Sequence, residues 1–107
     1  MYIYILYTFR YGMETVSFGE SSVLLFGGYQ GVEYLNDVYL SNDFGFNWQL
    51  LSSNELWTPR YGHKATFYNS FIYFCGGMDL NGNEMNDVWG FNAAEILVNY
   101  INVKMIQ

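Results

Sequence analysis

A chain of 107 residues has room for one domain, and with 51% apolar and 21% aromatic residues against 13% charged it carries too much ring area to stay disordered. Its net charge of −6, with Arg10, Arg60, Lys64 and Lys104 as its only lysines and arginines, excludes a nucleic-acid surface and argues against an anionic membrane. Eleven glycines against one proline, Pro59, predict short strands joined by tight turns, so the expected class is all-β.

Residues 1–9 (MYIYILYTF) form an apolar run without a basic leader or a small-residue cleavage site, and they are too short to cross a bilayer. They are expected as a strand left from a preceding repeat or as an unrelated leader. Residues 10–59 read as one unit. Arg10-Tyr11-Gly12 opens it, and strands are predicted over 14–18, 23–26, 37–40 and 48–51. The run VLLF at 23–26 is continuously apolar, which marks a strand covered on both faces. Gly27-Gly28 follows directly, where the backbone must turn sharply or approach a neighbour closely.

The unit then recurs over 60–92. Arg60-Tyr61-Gly62 repeats Arg10-Tyr11-Gly12, and Asn86-Asp87-Val88-Trp89 repeats Asn36-Asp37-Val38-Tyr39, both 50 residues on; Gly76-Gly77 repeats Gly27-Gly28 after 49. One extra residue near Gly19 is cancelled by one in the loop after the second diglycine, and a duplicated strand-turn-strand unit tolerates insertions in its turns. Strands are predicted over 64–68, 72–75 and 87–91.

Four short antiparallel strands in about 50 residues is the pattern of propeller blades. The ordered set (RYGH at 60–63, an apolar strand ending in the diglycine, NDV followed by an aromatic, a downstream Trp) resembles the kelch repeat of the galactose-oxidase-like superfamily. The likeness covers 10–59 fully and 60–92 in part. Ser41-Asn42-Asp43-Phe44-Gly45-Phe46-Asn47-Trp48 resembles the Asp-box, S-x-D-x-G-x-x-W, of sialidase-like propellers. Asp43 is suited to accept turn N–H bonds, Gly45 to take a positive φ, and Trp48 to pack back into the blade. The resemblance implies two propeller blades of four-stranded antiparallel sheet, the second incomplete. It also implies structural roles for Arg10, Gly27, Gly28, Asp37, Asp43, Gly45, Trp48, Arg60, His63, Gly76, Gly77, Asp87 and Trp89.

The chain departs from that pattern in two places. Met13 stands where the second unit has His63, and beyond Asn92 neither an Asp-box nor a fourth-strand Trp recurs. In the divergent tail, 93–107, Asn92 with Glu95 three residues on predicts a short C-terminal helix, a strand being the alternative because Ile, Val and Tyr are numerous. A closed propeller needs about four to eight blades, and two leave a sheet face and strand edges open. The chain is therefore expected to be a fragment of a larger propeller that, on its own, associates through its open blade faces.

No catalytic constellation is expected. His63 is the only histidine, and its place in the repeat motif favours packing; with Cys75 it cannot complete a zinc site. Cys75, the sole cysteine, is expected as a small buried hydrophobe and says nothing of compartment. The stretch from Asp79 to Glu84 fails as a calcium loop, with Gly82 in the fourth position and Gly90 in the twelfth, and reads as a polar hairpin. Two arginines cannot form the cluster that a sialidase resemblance implies, nor one histidine the copper site of a galactose oxidase. No metal or cofactor is expected. The function expected is a non-catalytic scaffold that binds a protein partner through loops 29–35 and 78–85, with Tyr29, Glu33, Tyr34, Asp79, Asn83 and Glu84 as contact residues. The alternative is a piece of a secreted or surface propeller that handles carbohydrate.

Overall fold

The computed structural model describes residues 10–31, 33–99 and 101–107; the leader 1–9 lies outside them. The chain is all-β. Strands β1 (Glu14–Phe18), β2 (Ser22–Gln30), β3 (Glu33–Ser41) and β4 (Gln49–Ser52) pair in chain order as one antiparallel sheet. A second antiparallel sheet follows, of β5 (Lys64–Tyr68), β6 (Phe71–Cys75), β7 (Val88–Asn92) and β8 (Lys104–Met105). One short helix, α1 (Ala93–Leu97), precedes β8. The helix prevails over a strand because the Asn92 side chain accepts from the N–H groups of Ala94 and Glu95, at 2.9 and 3.2 Å, capping the first turn.

Three details differ from the sequence-based reading. The first diglycine does not end its strand. β2 runs on to Gln30 because the register shifts between Phe26 and Gly28, a bulge that lets pairing resume at Gly28 with Leu35. Residues 29–35 are therefore mostly strand, with Tyr29 opposite Tyr34 and Gln30 opposite Glu33, so Tyr29, Glu33 and Tyr34 stand on a hairpin and not on an open loop. Second, the stretch 72–75 alternates in burial, although Cys75 was expected to be buried. Ile72 and Phe74 are buried, Tyr73 is half-buried and Cys75 is exposed, since no further sheet among the described residues covers that side. Third, the tail belongs to the second unit. It supplies the two-residue strand β8, and Ala93, Ile96 and Val103 enter the core.

The core lies between the two sheets. Leu24, Phe26, Val38 and Leu40 of the first sheet meet Ile72, Phe74 and Phe91 of the second, and the Phe26 and Phe74 rings cross edge-to-face at 5.0 Å. Trp57, in the connection between the units, is wholly buried against Phe26 and Phe74, at 6.0 and 5.1 Å. Truncating a ring so placed costs about 3–5 kcal/mol. Asn36 fixes that connection: its side-chain amide donates to the carbonyls of Glu55 (2.8 Å) and Trp57 (3.1 Å). On the opposite face of the first sheet, Trp48 and Leu25 form a smaller buried cluster with Val23 and Tyr39.

Candidate functional site

The two units build the same clamp at their diglycine ends. Arg10 donates to both carboxylate oxygens of Asp37 (2.7 and 2.9 Å) and to the Gly27 carbonyl (3.1 Å). Arg60 donates likewise to Asp87 (2.5 and 2.8 Å) and to the Gly76 carbonyl (3.2 Å). A planar guanidinium holding a carboxylate in two parallel bonds fixes orientation as well as distance. Those Arg60 bonds, helped by a hydrogen bond from Trp89 Nε1, hold Asp87 down to about 2. Each guanidinium also lies 5.7 Å from a ring centroid, Tyr39 for Arg10 and Phe74 for Arg60.

These clamps hold the next residues, Tyr11 and Tyr61, beside the chain that leaves each diglycine. Tyr11 and Tyr29 exchange two backbone hydrogen bonds of 2.8 Å, and Tyr61 and Met78 exchange two of 3.1 and 2.9 Å. Close approach is why glycine is needed here: a Cβ on Gly28 would sit 2.8 Å from the Tyr11 carbonyl oxygen, and one on Gly77 2.8 Å from that of Tyr61.

Four tyrosine rings gather as a result. Tyr29 lies 6.4 Å from Tyr11, 5.0 Å from Tyr34 and 6.3 Å from Tyr61, and Tyr34 lies 5.4 Å from Tyr61. Desolvation, then the neighbouring Tyr61, Tyr29 and Asp79, raise the Tyr34 phenol above its ordinary range. Two hollows flank the rings. One of about 390 Å³ is lined by Tyr61, Gly62, Gly77, Met78, Glu84 and Met85. The other, about 300 Å³, is lined by Glu33, Tyr34, Thr58, Pro59, Asp79, Leu80 and Asn81. Rings with Glu33 and Glu84 exposed at the rim suit a cationic side chain, which gains from ring faces and carboxylates together.

The residues expected to contact a partner thus divide. Tyr29 and Tyr34 join the ring cluster, and Glu33 and Glu84 border the hollows. Asp79 and Asn83 are spent on their own loop, where the Asp79 carboxylate accepts from Asn81 N–H (3.0 Å), Asn83 N–H (2.9 Å) and Asn83 Nδ2 (3.2 Å). Tyr11, Tyr61, Met78 and Met85 went unnoticed as contact residues. The recurrence of Tyr within both Arg-Tyr-Gly segments was the signal for the first two.

The hairpin at 41–48 is bonded inwardly in the same way. Asp43 accepts from Asn47 N–H (2.8 Å), Asn47 Nδ2 (2.7 Å) and the Ser41 hydroxyl (2.8 Å), with Asn47 first among the causes that lower its pKa. Gly45 has φ 95°, and Trp48 Nε1 donates to the Gly45 carbonyl at 2.9 Å. Trp48 stands just before β4 and not in it.

His63 is buried between the sheets, its Nε2–H donating to the Phe26 carbonyl at 3.0 Å. Among the described residues no three His, Cys, Asp or Glu side chains gather as a metal site, and no helix is long and apolar enough to cross a membrane.

Fold and site define an all-β protein of two packed four-stranded meanders with an aromatic surface at one end. No family model matches the chain. It is similar to a probable serine/threonine-protein kinase of Dictyostelium discoideum, 31% identical over 75 residues, which is 67% of this chain and 6% of that protein. It is also similar to the Rho GTPase-activating protein gacHH of the same organism, 34% identical over 59 residues, 54% of this chain and 4% of that protein. The matched stretch is thus a small part of each relative.

Proposed function

We propose that this chain is a pair of kelch-type propeller blades acting as a non-catalytic protein-binding module, its partner seated on the tyrosine surface at the diglycine end. The observation that carries this reading is the cluster of Tyr11, Tyr29, Tyr34 and Tyr61, drawn from both units and bordered by Glu33 and Glu84. Tyrosine supplies large contact area at low entropic cost and is enriched where proteins meet. The paired Arg–Asp clamps and the ordered motifs support the kelch assignment. The two relatives are named for different activities, and each matches this chain over a short stretch.

Selection of displayed peptides against the chain tests this, with amide shift mapping of a selected peptide. The expected peptides carry Arg or Lys, and the shifts centre on Tyr29, Tyr34, Tyr61 and Met78. Peptides without basic residues, or shifts centred on β4, would overturn the proposal.

A further inference from the structure

Each unit carries the same elements for receiving a neighbouring unit, and among the described residues only one set is occupied. A Cβ on Gly27 would lie 2.5 Å from His63 Cε1, and one on Gly12 would lie 3.0 Å from Gly62 N, because the second unit sits against both. Gly28 N–H donates to the Arg60 carbonyl and Gly62 N–H to the Gly12 carbonyl, each at 2.8 Å. The counterparts of Gly27 and Gly12 in the second unit are Gly76 and Gly62, and a Cβ on either would meet nothing within 4 Å among the described residues. Phe26 is wholly buried while its counterpart Cys75 is exposed. Asn36 is buried and holds the connection into the next unit, whereas Asn86 is exposed. The open face carries an apolar groove of about 190 Å³ that includes Tyr73, Cys75 and Val88.

The complementary elements stand at the other end of the chain. Arg10-Tyr11-Gly12-Met13 holds, on the first sheet, the place that Arg60-Tyr61-Gly62-His63 holds on the second, with the same clamp, and Met13 is 41% exposed.

We propose that the open face of the second sheet binds a second copy of this chain, head to tail, through that copy's first unit. The contact continues the interface already made between the two sheets within one chain, and it does not depend on the tyrosine surface. The Met13 side chain takes the place of the His63 ring beside Gly76, a role its flexible thioether suits. The Arg10 carbonyl takes that of Arg60, facing Gly77 N–H. One contact does not carry over. Within the chain Ala65 N–H donates to Glu14 Oε2 at 2.7 Å, but the corresponding Thr15 N–H meets Lys64, which has no acceptor. Association between chains is accordingly weaker than the packing within one. Because the two surfaces differ, it grows into chains or closes into rings.

Sedimentation velocity tests this with two blocking variants of the full chain, Met13→Glu at the head and Cys75→Glu at the tail. The parent chain is expected to sediment faster as concentration rises, and each variant alone to stay monomeric. An equimolar mixture keeps one intact head and one intact tail, so it forms a dimer that grows no further. Near-ultraviolet circular dichroism matching the parent checks folding, and Tyr68→Glu, 70% exposed on the same face, replaces a tail variant that fails it. A parent chain monomeric at every concentration, association surviving in either variant, or a mixture that stays monomeric would each overturn the proposal.

Discussion

His63, from the second unit, donates its Nε2–H to the carbonyl of Phe26 in the first, 3.0 Å away, and so joins the two sheets through one neutral imidazole. That bond uses the only ring proton, and the buried Nδ1 has no hydrogen-bond partner among the described residues. Protonating it would place a charge between the sheets, beside Arg60 and Lys64.

A pH dependence follows. Burial is the main cause that pushes His63 from 6.5 down to about 4, with Arg60 and Lys64 adding to it and the Phe26 bond opposing. The unfolded chain therefore binds a proton that the folded chain refuses. The stability due to the neutral ring is complete above about pH 6.5 and is lost as pH falls toward about 4, a span worth about 3 kcal/mol. Urea unfolding at low protein concentration, at pH 7 and pH 5, should show the loss, and His63→Leu should flatten it. A parent chain equally stable at both pH values would contradict the role given to His63.

Gly27 and Gly76 separate backbone strain from packing. Both have a positive φ, 72° and 77°, so alanine at either costs about 1–2 kcal/mol of left-handed strain. At Gly27 the new methyl would also displace the His63 ring, 2.5 Å from its Cβ, whereas at Gly76 it enters open space. Gly27→Ala should therefore lower the unfolding midpoint more than Gly76→Ala, and raise the His63 pKa followed by proton NMR. Equal losses would mean that His63 does not pack against the diglycine.

The repeat made much of this legible in advance. Short β-rich runs, glycine pairs and the 50-residue offset were enough to place seven of the eight strands among the described residues, because each is a local pattern. Trp57 was missed because it lies in a connection with no periodicity, and the Asn36 amide that helps hold that connection inward lies far away in sequence. The continuation of β2 past Gly28 was missed because glycine pairs usually end strands, and a bulge depends on the pairing partner. Burial of Cys75 was misjudged because an apolar strand does not reveal whether a second sheet covers it. Of the site, the sequence exposed Tyr29 and Tyr34, while Tyr11 reaches Tyr29 through their backbone bridge and the convergence of Tyr61 needs the packing of one sheet on the other.

The most direct measurement of the central claim sets binding against stability for two groups of variants, using a basic peptide selected on the parent chain. Tyr34→Ala and Tyr61→Ala are expected to weaken peptide binding at least tenfold, the effect of about 1.4 kcal/mol. They should leave the melting temperature close to that of the parent. Asp43→Ala removes the acceptor of the 41–48 hairpin and Trp48→Ala empties a buried site, the latter at about 3–5 kcal/mol. Both should lower the melting temperature and leave the affinity of the folded chain unchanged. If instead the tyrosine variants bind as the parent does, while Asp43→Ala abolishes ligand binding with the melting temperature intact, the tyrosine surface is not the site. The hairpin, and with it a carbohydrate-handling role, would take its place.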